Sequence, residues 1–201
     1  CILYAGLKPV FIDIDPTTKN LDKIQVENAL RKNPNIKAII AVHYAGLPLE
    51  ATWFKKIKSE FGVKIIEDAA HALGAYYETG EKVGNSQTTD LTVFSFHPVK
   101  SVTTGEGGVV VTNSQDFYQK LLVLRSHGIE QNPELHINRF LSHTNNTPNP
   151  WYREMKILGY HYRITEIQAS LGVSQMKKLS KYKFSVFKNL KAQFSYKFSV
   201  I

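Results

Sequence analysis

Cysteine is nearly absent from this 201-residue chain: Cys1 is its one thiol, so no internal disulfide can form. No apolar run approaches the roughly 18 residues that a membrane helix needs. The first residues lack the basic, apolar and small-residue order of a secretion signal, so a cytoplasmic location is expected. The seven histidines (43, 71, 97, 127, 136, 143 and 161) show no metal-ligand spacing such as His-Glu-x-x-His. A Gly-x-Ser-x-Gly nucleophile elbow is also missing, and Cys1 has no catalytic context. Acidic residues are missing from 177 to 201, where seven lysines stand, so this stretch carries +7 of the net +8 and residues 1 to 176 only +1. A nucleic-acid groove would spread its basic residues over a folded face among stacking aromatics, so DNA and RNA binding are excluded as the main function.

What the chain does have is 43% hydrophobic residues, enough for a folded core. Runs at 9–15, 36–42, 63–66, 91–96 and 108–112 are short, β-branched and aromatic, and almost continuously apolar. They read as strands buried on both faces, in a mostly parallel sheet covered by helices. Four helices are predicted between them. Asn20 caps one through about Arg31, and Pro48 stands in the first turn of one ending at Phe61-Gly62. Ser114 caps a third through about Arg125, and Thr165 with Gln168 forms a capping box for a fourth, Glu166 to Leu179. Residues 130–156 are left as one long loop, of a length that is usually functional or disordered. The fold class is α/β, with no internal repeat before the tail.

The chain opens without methionine, close to a strand-like run, which predicts a start inside a domain. After about residue 182 Lys-Phe-Ser-Val occurs twice without an acidic residue, so 182–201 is read as an atypical basic tail, either a frame-shifted or truncated end or a short basic terminal helix, and 1–181 as a partial large domain.

Three clusters could carry chemistry, all at or just past strand ends, where open α/β sheets bind ligands. Ile65-Ile66-Glu67-Asp68-Ala69-Ala70-His71 ends a strand in two carboxylates with a histidine three residues on. Such an acid either caps a helix or meets a cationic ligand nitrogen. Phe94-Ser95-Phe96-His97-Pro98-Val99-Lys100 places a lysine near the core edge, where a neutral amine attacks carbonyl carbons, though a lone lysine is more often a snorkelling surface cation. Ser95 is a phosphate hydrogen-bond donor candidate. Thr103-Thr104-Gly105-Glu106-Gly107-Gly108 turns tightly before a strand; it lacks the Walker ending and, with no helix following, the dinucleotide fingerprint.

The order of these clusters, continued by Leu124-Arg125-Ser126-His127-Gly128 and Gly159-Tyr160-x-Tyr162-Arg163-Ile164-Thr165-Glu166-Ile167-Gln168-Ala169, resembles the DegT/StrS family of pyridoxal-phosphate sugar aminotransferases. Within it the motifs are most similar to the branch that aminates a UDP-linked 4-keto-6-deoxy-N-acetyl-altrosamine on the pseudaminic acid route. The resemblance implies the aspartate aminotransferase fold (fold type I), pyridoxal 5′-phosphate as cofactor, a homodimer, and transfer of an amino group from L-glutamate to a nucleotide-linked keto sugar. It implies that Lys100 holds the cofactor's aldehyde and moves the proton, and that Asp68 keeps the pyridine nitrogen protonated. It also implies that His71 lies beside the ring, that Ser95 binds the phosphate, and that His161 stands where relatives use asparagine to reach the phosphate across the dimer. Lys100 argues against the related dehydratases, in which histidine replaces it. The family's Gly-Thr/Ser-x-Ala phosphate segment and its smaller second domain are not found in this sequence, and the alternative reading is a catalytically incomplete remnant or partner-binding fragment.

Overall fold

The computed structural model describes residues 1–85 and 87–181. The basic tail from 182 onward lies outside the described residues.

Chain contacts divide the described residues into two units: residues 1–111 with 166–181, and residues 112–165. The first is built on a four-stranded sheet in the order β1 (Ala38–Val42), β2 (Lys64–Asp68), β3 (Leu91–Ser95), β4 (Gly108–Val111). The first three strands run parallel, and β4 returns antiparallel to β3. The register aligns Ala41, Glu67 and Thr92 in one row and Val42, Asp68 and Val93 in the next. Side chains alternate along a strand, so these two rows face opposite sides of the sheet.

The face holding Ile39, Ala41, Ile65 and Phe94 is covered by α1 (Lys23–Lys32) and α2 (Ala51–Phe61). Val26 and Leu30 of α1, and Trp53, Phe54 and Ile57 of α2, are buried in this core. Full burial of a side chain such as Ile57 or Phe54 contributes about 2–3 kcal/mol. On the other face Ile40, Ile66, Asp68, Leu91 and Val93 are half-buried. The expectation of strands buried on both faces therefore holds for one face among the described residues. An apolar run cannot tell a covered face from an uncovered one.

Helix ends follow local chemistry, with two corrections. Asp22, not Asn20, caps α1, accepting the N–H groups of Ile24 at 2.9 Å and Gln25 at 3.1 Å. Asn20 is buried and instead donates its amide to the Leu47 carbonyl while accepting the Tyr44 N–H. Helix α2 begins at Ala51 rather than in the Pro48 turn; its free N–H groups at Ala51 and Thr52 are taken by the Glu78 carboxylate, 27 and 26 residues away. Its stop is as expected, Gly62 adopting the left-handed conformation at φ 66°. Helix α5 (Glu166–Met176) is shorter than expected.

The run at 9–15 is not a strand. Asp15 accepts the N–H groups of Thr17 and Thr18, bending the chain after Pro16, and only Ile14 pairs, as an isolated bridge to Leu21. Side-chain acceptors thus replace a ladder partner.

In the second unit, α3 (Gln115–Leu124) is capped by Ser114 as expected. The loop predicted over 130–156 is ordered into short elements. The pair β5 (Ile129–Glu130) and β8 (Glu154–Met155) closes it, and inside lie a 3-10 turn (Pro133–Leu135), α4 (Arg139–Ser142), and a hairpin of β6 (His143–Thr144) with β7 (Thr147–Pro148). Asn145 and Asn146 both have positive φ, the left-handed pair that a two-residue hairpin needs. Among the described residues no helix is long and apolar enough to cross a membrane, and no group of three or more His, Cys, Asp or Glu could hold a metal ion.

Candidate functional site

Parallel strands deliver their carboxyl ends to one edge, and in this sheet those ends carry the predicted residues. Asp68 closes β2, and Ser95 closes β3 two positions beyond Val93, the register partner of Asp68. Both side chains therefore project from the same half-open face. The Asp68 carboxylate accepts the Ala70 N–H at 3.1 Å, its carbonyl accepts the His43 N–H at 3.0 Å, and the following Ala69 N–H donates to Val93 at 2.9 Å. The acid is thus held by main chain on both sides. Ser95 Oγ accepts the His97 N–H at 3.3 Å, leaving its own proton to donate outward.

Lys100 lies in the turn that leaves β3, its N–H bonded to the His97 carbonyl at 2.9 Å, and it is half-buried. The neck of this turn is pinned. Phe96 donates to Gly107 and accepts from Thr104, while the Thr103 hydroxyl also donates to the Phe96 carbonyl. The glycine cluster serves that pinning: Gly105 and Gly107 have φ of 81° and 154°, and a Cβ on Gly108 would meet the Phe94 carbonyl oxygen at 2.8 Å. Helix α5 is joined to the same turn, Gln168 donating to the Glu106 carbonyl at 3.0 Å.

His71 sits in the turn after β2 with an exposed side chain. Its carbonyl oxygen lies where a Cβ of Gly46 would come within 2.8 Å. The fold thus brings Asp68, His71, Ser95 and Lys100 to one sheet edge. Among the described residues, no hydrogen bond links these four side chains to one another.

His161 belongs to the second unit, where Gly159–Arg163 runs beside Leu124–Gly128. Tyr160 donates to Leu124, Tyr162 to Arg125 and His127 to Tyr160, so the two glycine-bearing motifs form one paired structure. The His161 ring packs edge-on against His127 at 5.2 Å, and its Nε2 accepts from Arg163 at 3.0 Å. A lone pair engaged at Nε2 puts the neutral ring's proton on Nδ1, the nitrogen then free to donate.

One group escaped sequence reasoning. Glu67, adjacent to Asp68, faces the opposite side of the sheet and is fully buried. Its Oε1 accepts from His43 Nε2 at 2.9 Å and Tyr77 Oη at 2.5 Å, and its Oε2 from Thr89 at 2.8 Å and Thr92 at 2.5 Å. Burial opposes its charge, but the bonds from His43, Thr92 and Tyr77 outweigh that and hold the carboxyl below its ordinary range. Burial and the neighbouring Glu67 charge push the Tyr77 phenol upward. The signal was present in the strand's period of two: in Lys64–Asp68, the side sharing Ile65 must also take Glu67.

The donor set suits a phosphorylated pyridine aldehyde. It offers a carboxylate for a ring cation, a hydroxyl for phosphate and an amine for an aldehyde.

Comparison with known proteins agrees. The chain is 39% identical over 178 residues to the UDP-4-amino-4,6-dideoxy-N-acetyl-beta-L-altrosamine transaminase of Campylobacter jejuni, covering 88% of this chain and 42% of that protein. Helicobacter pylori PseC, an aminotransferase involved in the biosynthesis of pseudoaminic acid, superimposes with a TM-score of 0.75 at 34% identity, over 89% of this chain and 42% of that one. A putative sugar aminotransferase from Streptococcus pneumoniae, solved in its PMP form, gives a TM-score of 0.72 at 27% identity, over 90% and 47% of the two chains. The chain thus spans about 42% of the length of the curated relative it matches. The family model for DegT/DnrJ/EryC1/StrS aminotransferases, which are pyridoxal-phosphate enzymes, matches residues 1–192, and the chain belongs to that family.

Proposed function

We propose that this chain carries the cofactor-binding residues of an aminotransferase that moves an amino group from L-glutamate to a nucleotide-linked 4-keto-6-deoxy sugar, in the supply of nonulosonate for surface polysaccharide. The carrying observation is the sheet edge, where Asp68 and Ser95 share a face and Lys100 follows in a turn pinned at Phe96. The altrosamine substrate class rests on the similarity to the Campylobacter enzyme and to PseC.

When bound, pyridoxal phosphate supplies an aldehyde that takes up amino groups and an electron-poor ring that accepts an electron pair. Lys100 would be the residue that holds the aldehyde through its amine and that moves a proton to and from the substrate carbon. Asp68 keeps a proton on the ring nitrogen, without which the ring is a poor electron sink. His71 would stand beside the ring, Ser95 would donate to the phosphate, and His161 would donate to the phosphate of the cofactor held by a second subunit in a cytoplasmic homodimer.

The test is borohydride reduction of the protein with pyridoxal phosphate, followed by peptide mass spectrometry. A pyridoxyl group on Lys100 is the expected result. An adduct confined to other lysines, or none, overturns the assignment.

A further inference from the structure

Glu67 has no part in the chemistry above, yet it is among the most constrained side chains in the protein. Its carboxylate is buried and receives four hydrogen bonds, filling the acceptor sites of both oxygens. Among the described residues no lysine or arginine is paired with it. His43 Nδ1 accepts the Leu49 N–H at 3.1 Å, so the proton donated to Glu67 stands on Nε2. Burying a lone charge costs several kcal/mol, and an apolar side chain would fill this row between Ala41 and Thr92 more cheaply. The donors come from β3, from the segment after β1 and from the connection between β2 and β3, so the carboxylate clasps three elements together at the sheet's carboxyl edge. His43 joins the clasp to the end of β2, because its side chain holds Glu67 while its backbone N–H holds the Asp68 carbonyl.

We propose that Glu67 is a positioning residue for Asp68: from the covered face of β2, the Glu67–His43 clasp fixes the strand ends so that the Asp68 carboxylate is presented rigidly to the cofactor's ring nitrogen. This rests on the reading of Asp68 as the ring's partner. Glu67→Gln is the direct variant: its amide oxygen can still accept from His43 and Tyr77, but its NH2 cannot accept the bonds that the Thr89 and Thr92 hydroxyls donate, so the half of the clasp that reaches β3 and the connection before it is lost. Thr89→Val is a milder one, leaving the charge with three donors.

Two readouts are taken on the whole chain: hydrogen exchange of the Ala70 amide, whose acceptor is Asp68 Oδ1, and the 15N resonance of ring-labelled pyridoxal phosphate bound to it. Ala70 exchange is expected to quicken at least tenfold in Glu67→Gln and several-fold in Thr89→Val. The ring-nitrogen resonance should move toward the unprotonated position, with Lys100 still modified by borohydride. Unchanged exchange in folded variants overturns the proposal, and needs no cofactor to be seen. Faster exchange with an unmoved ring-nitrogen resonance also overturns it, leaving Glu67 a purely structural residue. If Asp68→Asn leaves the resonance unmoved, the reading of Asp68 itself fails, an outcome distinct from either.

Discussion

Gly128 and Gly159 meet backbone against backbone. A Cβ on Gly159 would overlap the Gly128 nitrogen, and one on Gly128 would overlap the Ile157 carbonyl. These glycines come from separate sequence motifs, and their contact is what lets the His127 and His161 segments pair. Gly159→Ala is therefore expected to cost about 3 kcal/mol, because backbone cannot yield as a flexible side chain can. The change should appear as a lower urea midpoint, and the His127–His161 ring contact should be lost in NMR spectra.

A second close approach protects the turn that carries His71. Gly46 has φ of 87°, and an added Cβ would stand 2.8 Å from the His71 carbonyl oxygen. Gly46→Ala combines a left-handed conformation costing about 1–2 kcal/mol with displacement of that turn. Its stability should fall by at least that amount in urea titration. Cofactor affinity should fall as well, which a stability loss remote from the site would not produce.

Two carboxylates, among several held below their ordinary range, contribute to the response to acid through partners inside the fold. Burial opposes the Glu67 charge, but the bonds from His43, Thr92 and Tyr77 hold its pKa below the usual 4.5. At Asp90 burial likewise opposes the charge, and the Ile65 N–H and the lysines at 58 and 64 outweigh it, depressing its pKa below 3.8. A group depressed in the folded state contributes stability above its unfolded value and loses it as pH falls through the folded value. The margin of the wild type over Glu67→Gln and Asp90→Asn should thus be full at pH 6 and shrink below about pH 4.5. Urea midpoints at pH 6 and pH 3.5 measure it, and a margin equal at both would contradict these hydrogen-bond assignments.

How legible the protein was depended on whether local chemistry or distant partners decided each element. Ser114 and Gly62 were readable because a cap and a left-handed stop are settled within a few residues. The start of α2 was not, since Glu78, which takes its first N–H groups, is 27 residues from Ala51. The run at 9–15 has a strand's composition, but Asp15 and Pro16 turn it where no neighbouring strand pairs. The placement of Asp68, Ser95 and Lys100 was legible because each stands at or just past a strand's last residue, and parallel strands gather those ends at one edge. Glu67 was hidden because the motif reads as a pair of acids, while the pleat sends them to opposite faces.

Ser95 and the free Nδ1 of His161 make a prediction that separates phosphate binding from ring binding. Ser95 already accepts the His97 N–H, so the hydroxyl has one proton left, and phosphate is the group in the cofactor that would take it. A hydrogen bond to a charged group is worth about 1.5–3 kcal/mol. Ser95→Ala should therefore weaken binding of pyridoxal phosphate at least tenfold while barely altering that of pyridoxal, which lacks the phosphate. His161→Ala should do the same only where subunits associate, because its proposed target belongs to a second copy. Equilibrium titrations with both compounds, at protein concentrations above and below any dimerisation seen in ultracentrifugation, read each effect separately. Equal losses for the two compounds would place Ser95 against the ring instead of the phosphate.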